Sequence, residues 1–203
     1  MMLDPVGLLA LQGDFEKHRH AFAALGTHTC LVRRPEELTA CAGLVIPGGE
    51  STTLARLIDR CGMREPLVEY ATSRPVMGTC AGLIMLAGEL ATEYAGDEPT
   101  DHGVTPLGLL DCLVQRNGYG RQVDSFIEET SIQPLTGDNA PFAAVYIRAP
   151  RILKVGEKAE VVITRGDEPV AVRQGHLLGL TFHPELTDDR RIHQAFLDFE
   201  AAP

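Results

Sequence analysis

Through the first half of the chain, apolar runs of strand length alternate with longer stretches whose apolar positions recur every three or four residues. Val6–Gln12 (VGLLALQ) reads as a buried strand, and Asp14–Gly26 as a helix stopped by Gly26. His28–Arg34 is a second strand, Pro35–Ala40 a short helix opening on proline, and Gly43–Gly49 (GLVIPGG) a third strand closing on paired glycines. Glu50–Gly62 and Arg64–Ser73 read as helices, Pro75–Cys80 as a fourth strand, and Ala81–Leu90 (AGLIMLAGEL) as an apolar helix buried on most sides. Strand and helix in alternation predict a parallel sheet covered on both faces. The second half changes character. Ala91–Gly103 is a polar, acidic loop, longer through Thr105 than the fold requires. Leu107–Asn117, Arg121–Ile132, Phe142–Pro150, Ala159–Asp167 and Pro169–Glu185 are rich in strand patterns, and Asp188–Ala201 is a closing helix. No repeat, low-complexity tract or linker divides the chain, so residues 1–203 are expected to form one α/β domain: three layers, a mostly parallel open sheet, helices on both faces.

Composition narrows the partners. Hydrophobic residues make up 44% and charged residues 23% of the 203, the balance of a folded soluble protein. The net charge of −10, with aromatics at 5% and no Trp, argues against a nucleic-acid partner. No apolar run reaches the length of a membrane span, and the start lacks a basic segment ahead of an apolar one, so a cytoplasmic protein with no membrane partner is expected. The cysteine count is odd and without CxxC spacing, which indicates neither a disulfide framework nor a zinc site. No metal and no cofactor are expected.

In that setting Cys80 stands out. It lies between Gly78 and Gly82 where a strand becomes a helix (MGTCAGLI), so free N–H groups at the helix start favour a thiolate and the glycines permit a sharp turn. The layout is the cysteine form of a nucleophile elbow, with the Ala81 N–H aimed at a bound carbonyl oxygen. Alone, the motif leaves packing and catalysis evenly balanced. His183 ends an apolar strand in FHPE. Pro184 keeps it out of the helical region, and Glu185 two residues on can fall on the same side of an extended segment. Glu185 would then orient His183, and His183 would activate Cys80. The third part is IPGGESTT. Gly48 and Gly49 expose backbone N–H groups suited to an oxyanion, against the plainer reading of a tight turn and a helix capped by Ser51 or Thr52. Together the parts point to acyl transfer through a thioester.

The order Cys, His, Glu, with PGGES, GTCAG and FHPE, resembles the class I (triad) glutamine amidotransferases, whose flavodoxin-like fold agrees with the pattern above. LALQGDFEKHRHAF, LGLLDCLVQRNGYGRQVDSF and VYIRAP extend the resemblance over nearly the whole chain. They place it among the glutaminases of pyridoxal 5′-phosphate (vitamin B6) synthesis, as does Ile84, where most other class I glutaminases carry Gln. The resemblance implies hydrolysis of L-glutamine to L-glutamate and ammonia, with Cys80 as nucleophile and His183 and Glu185 as its relay. It implies glutamine binding by Gly49, Glu50, Ser51, Arg116, Ile147 and Arg148. Arginine suits the substrate carboxylate, and Glu50 or backbone carbonyls suit its ammonium. The implied partner is a (β/α)8-barrel synthase subunit that receives the ammonia. Docking activates the glutaminase, with Gln12 and the PGGES turn involved and the helix bearing His18 and His20 part of the docking face. Pyridoxal phosphate is then a product of the complex rather than a cofactor of this chain. Lys17 precedes His18 where the family often has Glu, and Gly118–Tyr119 replaces a more usual Ser–Phe pair. The rival readings are a glutaminase serving a different synthase, a non-catalytic interaction module on the same fold, and another cysteine hydrolase.

Overall fold

The computed structural model describes residues 4–95, 98–100, 103–118 and 125–199. In the first half the alternating runs become β1 (Val6–Leu9), α1 (Phe15–Ala24), β2 (Thr29–Val32), a 3₁₀ turn (Pro35–Ala40), β3 (Gly43–Ile46), α2 (Ser51–Arg60), α3 (Arg64–Tyr70), β4 (Val76–Thr79) and α4 (Ala81–Leu86). Then follow β5 (Ala87–Leu90), β6 (Glu93–Ala95), β7 (Glu98–Thr100), β8 (Leu110–Gln115), β9 (Ser125–Ser131), α5 (Gln133–Thr136), β10 (Pro141–Ile147), β11 (Arg151–Val155), β12 (Glu160–Arg165), β13 (Glu168–Gln174) and β14 (Leu177–Leu180). A 3₁₀ turn (Pro184–Leu186) and α6 (Arg191–Leu197) close the described chain.

The central sheet has the order β12-β13-β14-β4-β3-β1-β2. Strands β2, β1, β3, β4 and β14 run parallel, and β13 and β12 continue antiparallel at one edge. The mostly parallel α/β architecture is as expected. Side chains alternate between two cores, as a period of two demands. Leu44, Ile46 and Val76 pack with Leu54 and Ile58 of α2, Leu67 of α3 and Leu83 of α4. Val45, Met77, Leu178 and Leu180 pack with Phe22 of α1 and Ile192 and Phe196 of α6. Phe22 and Phe196 are wholly buried, which stabilises the fold by about 2–3 kcal/mol each.

Three elements differ from expectation. The helix expected over Ala81–Leu90 ends at Leu86, and Ala87–Leu90 pairs instead with β8. Every residue of α4 is buried, so its apolar run carries no periodicity to mark where helix gives way to strand. Gly88 lies in the strand part, where a Cβ would come within 2.8 Å of the Leu110 carbonyl oxygen. Within the expected acidic loop, β6 and β7 pair antiparallel, while residues 96, 97, 101 and 102 lie outside the described residues. Strand β11 was not expected at all: its pairing with β8 shifts register between Ile152 and Lys154, leaving Leu153 47% exposed and no clean alternation.

Loops after β1, β3, β4 and β14 meet at the carboxyl ends of parallel strands, where open α/β sheets bind ligands. Close packing beneath this edge depends on Gly82, since a Cβ there would lie 2.0 Å from the Ile46 carbonyl oxygen. Gly82→Ala is therefore expected to destabilise the protein by about 1–3 kcal/mol, read as a lower denaturant midpoint with unchanged slope.

Candidate active site

Cys80 joins β4 to α4 with φ 50° and ψ −104°, a conformation that L-residues avoid. Two backbone hydrogen bonds hold it there: its N–H donates to Leu180 O at 2.8 Å, and its carbonyl accepts from Ile84 N–H at 3.2 Å. The side chain is 6% exposed, with Sγ 4.0 Å from the Ile147 carbonyl oxygen. His183 leaves the end of β14, fixed by its N–H to Val145 O at 2.9 Å, and its ring lines the same cavity as the Cys80 thiol, close enough for the two to interact electrostatically. On the other side of the ring, Nδ1–H donates to Glu185 Oε1 at 2.7 Å. The structure thus brings Cys80, His183 and Glu185 together in one line.

Gly48 forms the wall beside them. A Cβ there would lie 2.3 Å from His183 Cε1 and 3.4 Å from the Cys80 Cβ. Gly48 and Gly49 line a cavity of about 360 Å³ with Cys80, His183, Glu50, Ser51, Arg116, Ile147 and Arg148. Ala81, 1% exposed, is the first residue of α4 and so carries an N–H with no partner within the helix. Among the described residues Cys80, Asn117 and Arg148 alone combine positive φ with a side chain, and all three line this cavity. Backbone strain concentrated in one cleft marks a built site. Asp14, Ile84 and Asn117 also line it, and motif reading assigned none of them a place there. Asn followed by Gly, a pair prone to left-handed backbone, was the one available signal for Asn117.

A model of the SNO glutamine amidotransferase family matches residues 8–200. The chain belongs to the SNO glutamine amidotransferase family. It is 48% identical over 194 residues to the pyridoxal 5′-phosphate synthase subunit PdxT of Geobacillus thermodenitrificans, covering 95% of this chain and 93% of that one. To the protein of the same name in Thermotoga maritima it is 45% identical over 195 residues, covering 95% and 97%. A crystal structure of a glutamine amidotransferase superposes with a TM-score of 0.84 at 42% identity, covering 96% of this chain and 97% of that chain. PurLQS from Thermotoga maritima, at 15% identity and a TM-score of 0.69, shares the fold.

Two details of this SNO-family site, the cap of α2 and the burial of His18, differ from the expectations. The cap of α2 is Glu50, not Ser51 or Thr52: its carboxylate accepts from Thr52 N–H at 2.9 Å, from Thr53 N–H at 2.6 Å and from the Thr53 hydroxyl at 2.7 Å. Partial burial opposes ionisation there, but these hydrogen bonds prevail and hold the Glu50 pKa at about 2. Glu50 is thus turned back onto its own helix, with Arg116 Nη2 at 4.0 Å. His18 has no surface to present to a partner, being 0% exposed, whereas His20 on the same helix is exposed. Gln12 packs against the glycine turn with which it was grouped. Its Oε1 accepts from Glu50 N–H at 3.2 Å, and a Cβ on Gly49 would meet its amide at 2.5 Å. Tyr119 of the altered pair lies outside the described residues.

The electrostatics of the triad follow from its burial. For His183, burial disfavours the charged ring, but the interaction with Cys80 and the hydrogen bond to Glu185 outweigh it and push the pKa up to about 10. For Glu185, burial disfavours the carboxylate, and His18 and His183 reverse this and hold the pKa below its usual value. An imidazolium at His183 is the counter-ion that a Cys80 thiolate needs. Beneath the triad, burial lowers the pKa of His18, and burial with the neighbouring His18 lowers that of His193 to about 3.

These directions set the pH dependence of stability. His193 stays neutral in the folded state while the unfolded histidine takes up a proton below about 6.5, so stability falls as pH drops from there toward 3. His193 alone is expected to cost about 2 kcal/mol between pH 6.5 and 5, with His18 acting in the same sense. His183 acts at the other end: the stability it contributes is fully present below 6.5 and is lost as pH rises toward 10. Urea unfolding across pH 5–10 should therefore give a maximum near 6.5, and His193→Gln should flatten the acid side alone.

Proposed function

We propose that this chain, acting as one glutamine amidotransferase domain, hydrolyses L-glutamine to L-glutamate and ammonia. It would be the glutaminase subunit of a pyridoxal 5′-phosphate synthase and pass the ammonia to a (β/α)8-barrel synthase subunit. The observation that carries the reading is the buried line Cys80–His183–Glu185 opening on a cavity of amino-acid size, in a chain 48% identical to a pyridoxal 5′-phosphate synthase subunit. No described helix is long and apolar enough to cross a membrane, in keeping with a cytoplasmic role. A glutaminase for a different synthase and a non-catalytic module are not favoured.

The chemistry runs as follows. The Cys80 thiolate attacks the side-chain amide carbon of glutamine, and the oxygen becomes an oxyanion held by backbone N–H groups of Gly48, Gly49 and Ala81. His183 gives its proton to the leaving nitrogen, so the C–N bond breaks, ammonia departs and a glutamyl thioester remains. Neutral His183 then takes a proton from water, whose oxygen attacks the thioester carbon, and glutamate leaves as the Cys80 thiolate and His183 imidazolium re-form. Arg116 and Arg148 hold the α-carboxylate. The Ile147 carbonyl and the Glu50–Ser51 turn face the α-ammonium.

Ammonia release from glutamine, measured with and without the synthase subunit, tests this reading. Turnover is expected to rise on adding the synthase subunit; no turnover in either condition would refute it.

A further inference from the structure

Glu185 has two carboxylate oxygens, and His183 occupies only Oε1. The other, Oε2, is buried without a hydrogen-bond partner among the described residues, and His18 Nε2 lies 3.4 Å from it, within ion-pair distance. His18 Nδ1 in turn lies 3.0 Å from His193 Nε2. All three side chains are sealed: the Glu185 and His18 side chains are both 0% exposed, and His193 is 0% exposed.

Chemistry fixes the direction of this chain. A carboxylate only accepts, so the approach of His18 Nε2 to Oε2 is favourable with the ring proton on Nε2, a proton that the Thr79 hydroxyl oxygen, hydrogen-bonded to the same nitrogen at 3.4 Å, can accept. His18 is buried and neutral, so its Nδ1 is an acceptor and His193 Nε2–H is the donor. His193 Nδ1, which has no hydrogen-bond partner among the described residues, is then the unprotonated nitrogen. Donation thus runs from α6 to α1, and the Nε2 edge of His18 comes within 3.4 Å of the oxygen that His183 leaves open. Phe22 meets the His193 ring edge-on with centroids 5.0 Å apart and helps to fix its plane.

We propose that His18, oriented by His193, is a positioning residue for glutamine hydrolysis, holding the second oxygen of Glu185 so that the first keeps the His183 ring aligned on Cys80. This rests on the glutaminase reading above. A carboxylate held at one oxygen can rotate about its bond to the side chain; one held at both cannot. The charged and titratable groups around the chain are Asp14 just before α1, His183 beside Glu185, and Arg190 near His193. Lys17, His20 and Asp188 join Arg190 around a separate cavity of about 260 Å³ that reaches Glu185 from outside. None of these side chains donates to Oε2.

The test compares wild type, His18→Leu, His18→Gln and His193→Gln in the presence of the synthase subunit, reading kcat, KM for glutamine and the pH profile of kcat/KM. His18→Leu removes the donor. Its kcat should fall about 10- to 100-fold with KM nearly unchanged. The alkaline limb should move to higher pH, because Glu185 without its donor draws the His183 proton more strongly. His18→Gln restores an N–H toward Oε2 and should recover most of kcat and the wild-type limb, while His193→Gln should fall between. The inference is overturned if His18→Leu keeps kcat within twofold. It is overturned equally if kcat falls with no movement of the limb and no rescue by glutamine, or if only the folded fraction changes. Lack of turnover by wild type in the same assay would instead refute the glutaminase reading.

Discussion

Cys80→Ala is expected to abolish ammonia release from glutamine, lowering turnover by at least about a thousandfold whether or not the synthase subunit is present. No other described thiol can take over: Cys30, Cys41, Cys61 and Cys112 line no part of the cavity. Alanine keeps the backbone hydrogen bonds at Leu180 and Ile84, so stability should change by only about 1 kcal/mol. The strained φ of 50° remains in the variant, which separates the loss of chemistry from any loss of fold. Steady-state ammonia release beside urea unfolding reads both at once. Turnover within tenfold of wild type would remove Cys80 from the reaction.

His183→Asn should lower kcat by about 10²–10⁴-fold. Asparagine can still donate an N–H toward Glu185, so the buried carboxylate keeps a partner and the protein should fold. Alanine at the same position would strand that charge, at a cost of about 3–5 kcal/mol. The Asn variant loses both the counter-ion of the thiolate and the proton donor for the leaving nitrogen. It should also lose the alkaline fall of stability between pH 6.5 and 10, because no group with a raised pKa remains at that position. An activity loss that leaves this alkaline fall intact would contradict the assignment of the raised pKa to His183.

The grouping of Cys80, His183 and Glu185 was legible because each carries a local signal. Cys80 sits between glycines at a strand–helix junction, and His183 and Glu185 flank a proline at the end of an apolar strand. The sheet order then places those junctions side by side, since β4 and β14 are neighbours. The layer beneath was not legible. His18 on α1 and His193 on α6 meet only because both helices pack on one face of the sheet, and neither has a distinctive flanking sequence. The cap of α2 was misplaced because Glu50, a longer side chain than the usual caps, reaches forward to accept from the Thr52 and Thr53 N–H groups. The end of α4 was hidden by burial on every side, and β11 by its shifted register. Pattern reading found the fully buried β1, β3, β4 and β14, whose runs are short and bounded by turn or helix signals, and failed at α4 and β11, where no such boundary or clean alternation marks the element.

The most direct measurement of the central claim is mass spectrometry of the protein quenched in acid during turnover of glutamine with the synthase subunit present. The account predicts one glutamyl group on the peptide containing Cys80, none on the peptides containing the other four cysteines, and none in Cys80→Ala. Rapid ammonia release with the Cys80 peptide unmodified, or a glutamyl group on another residue, would contradict it.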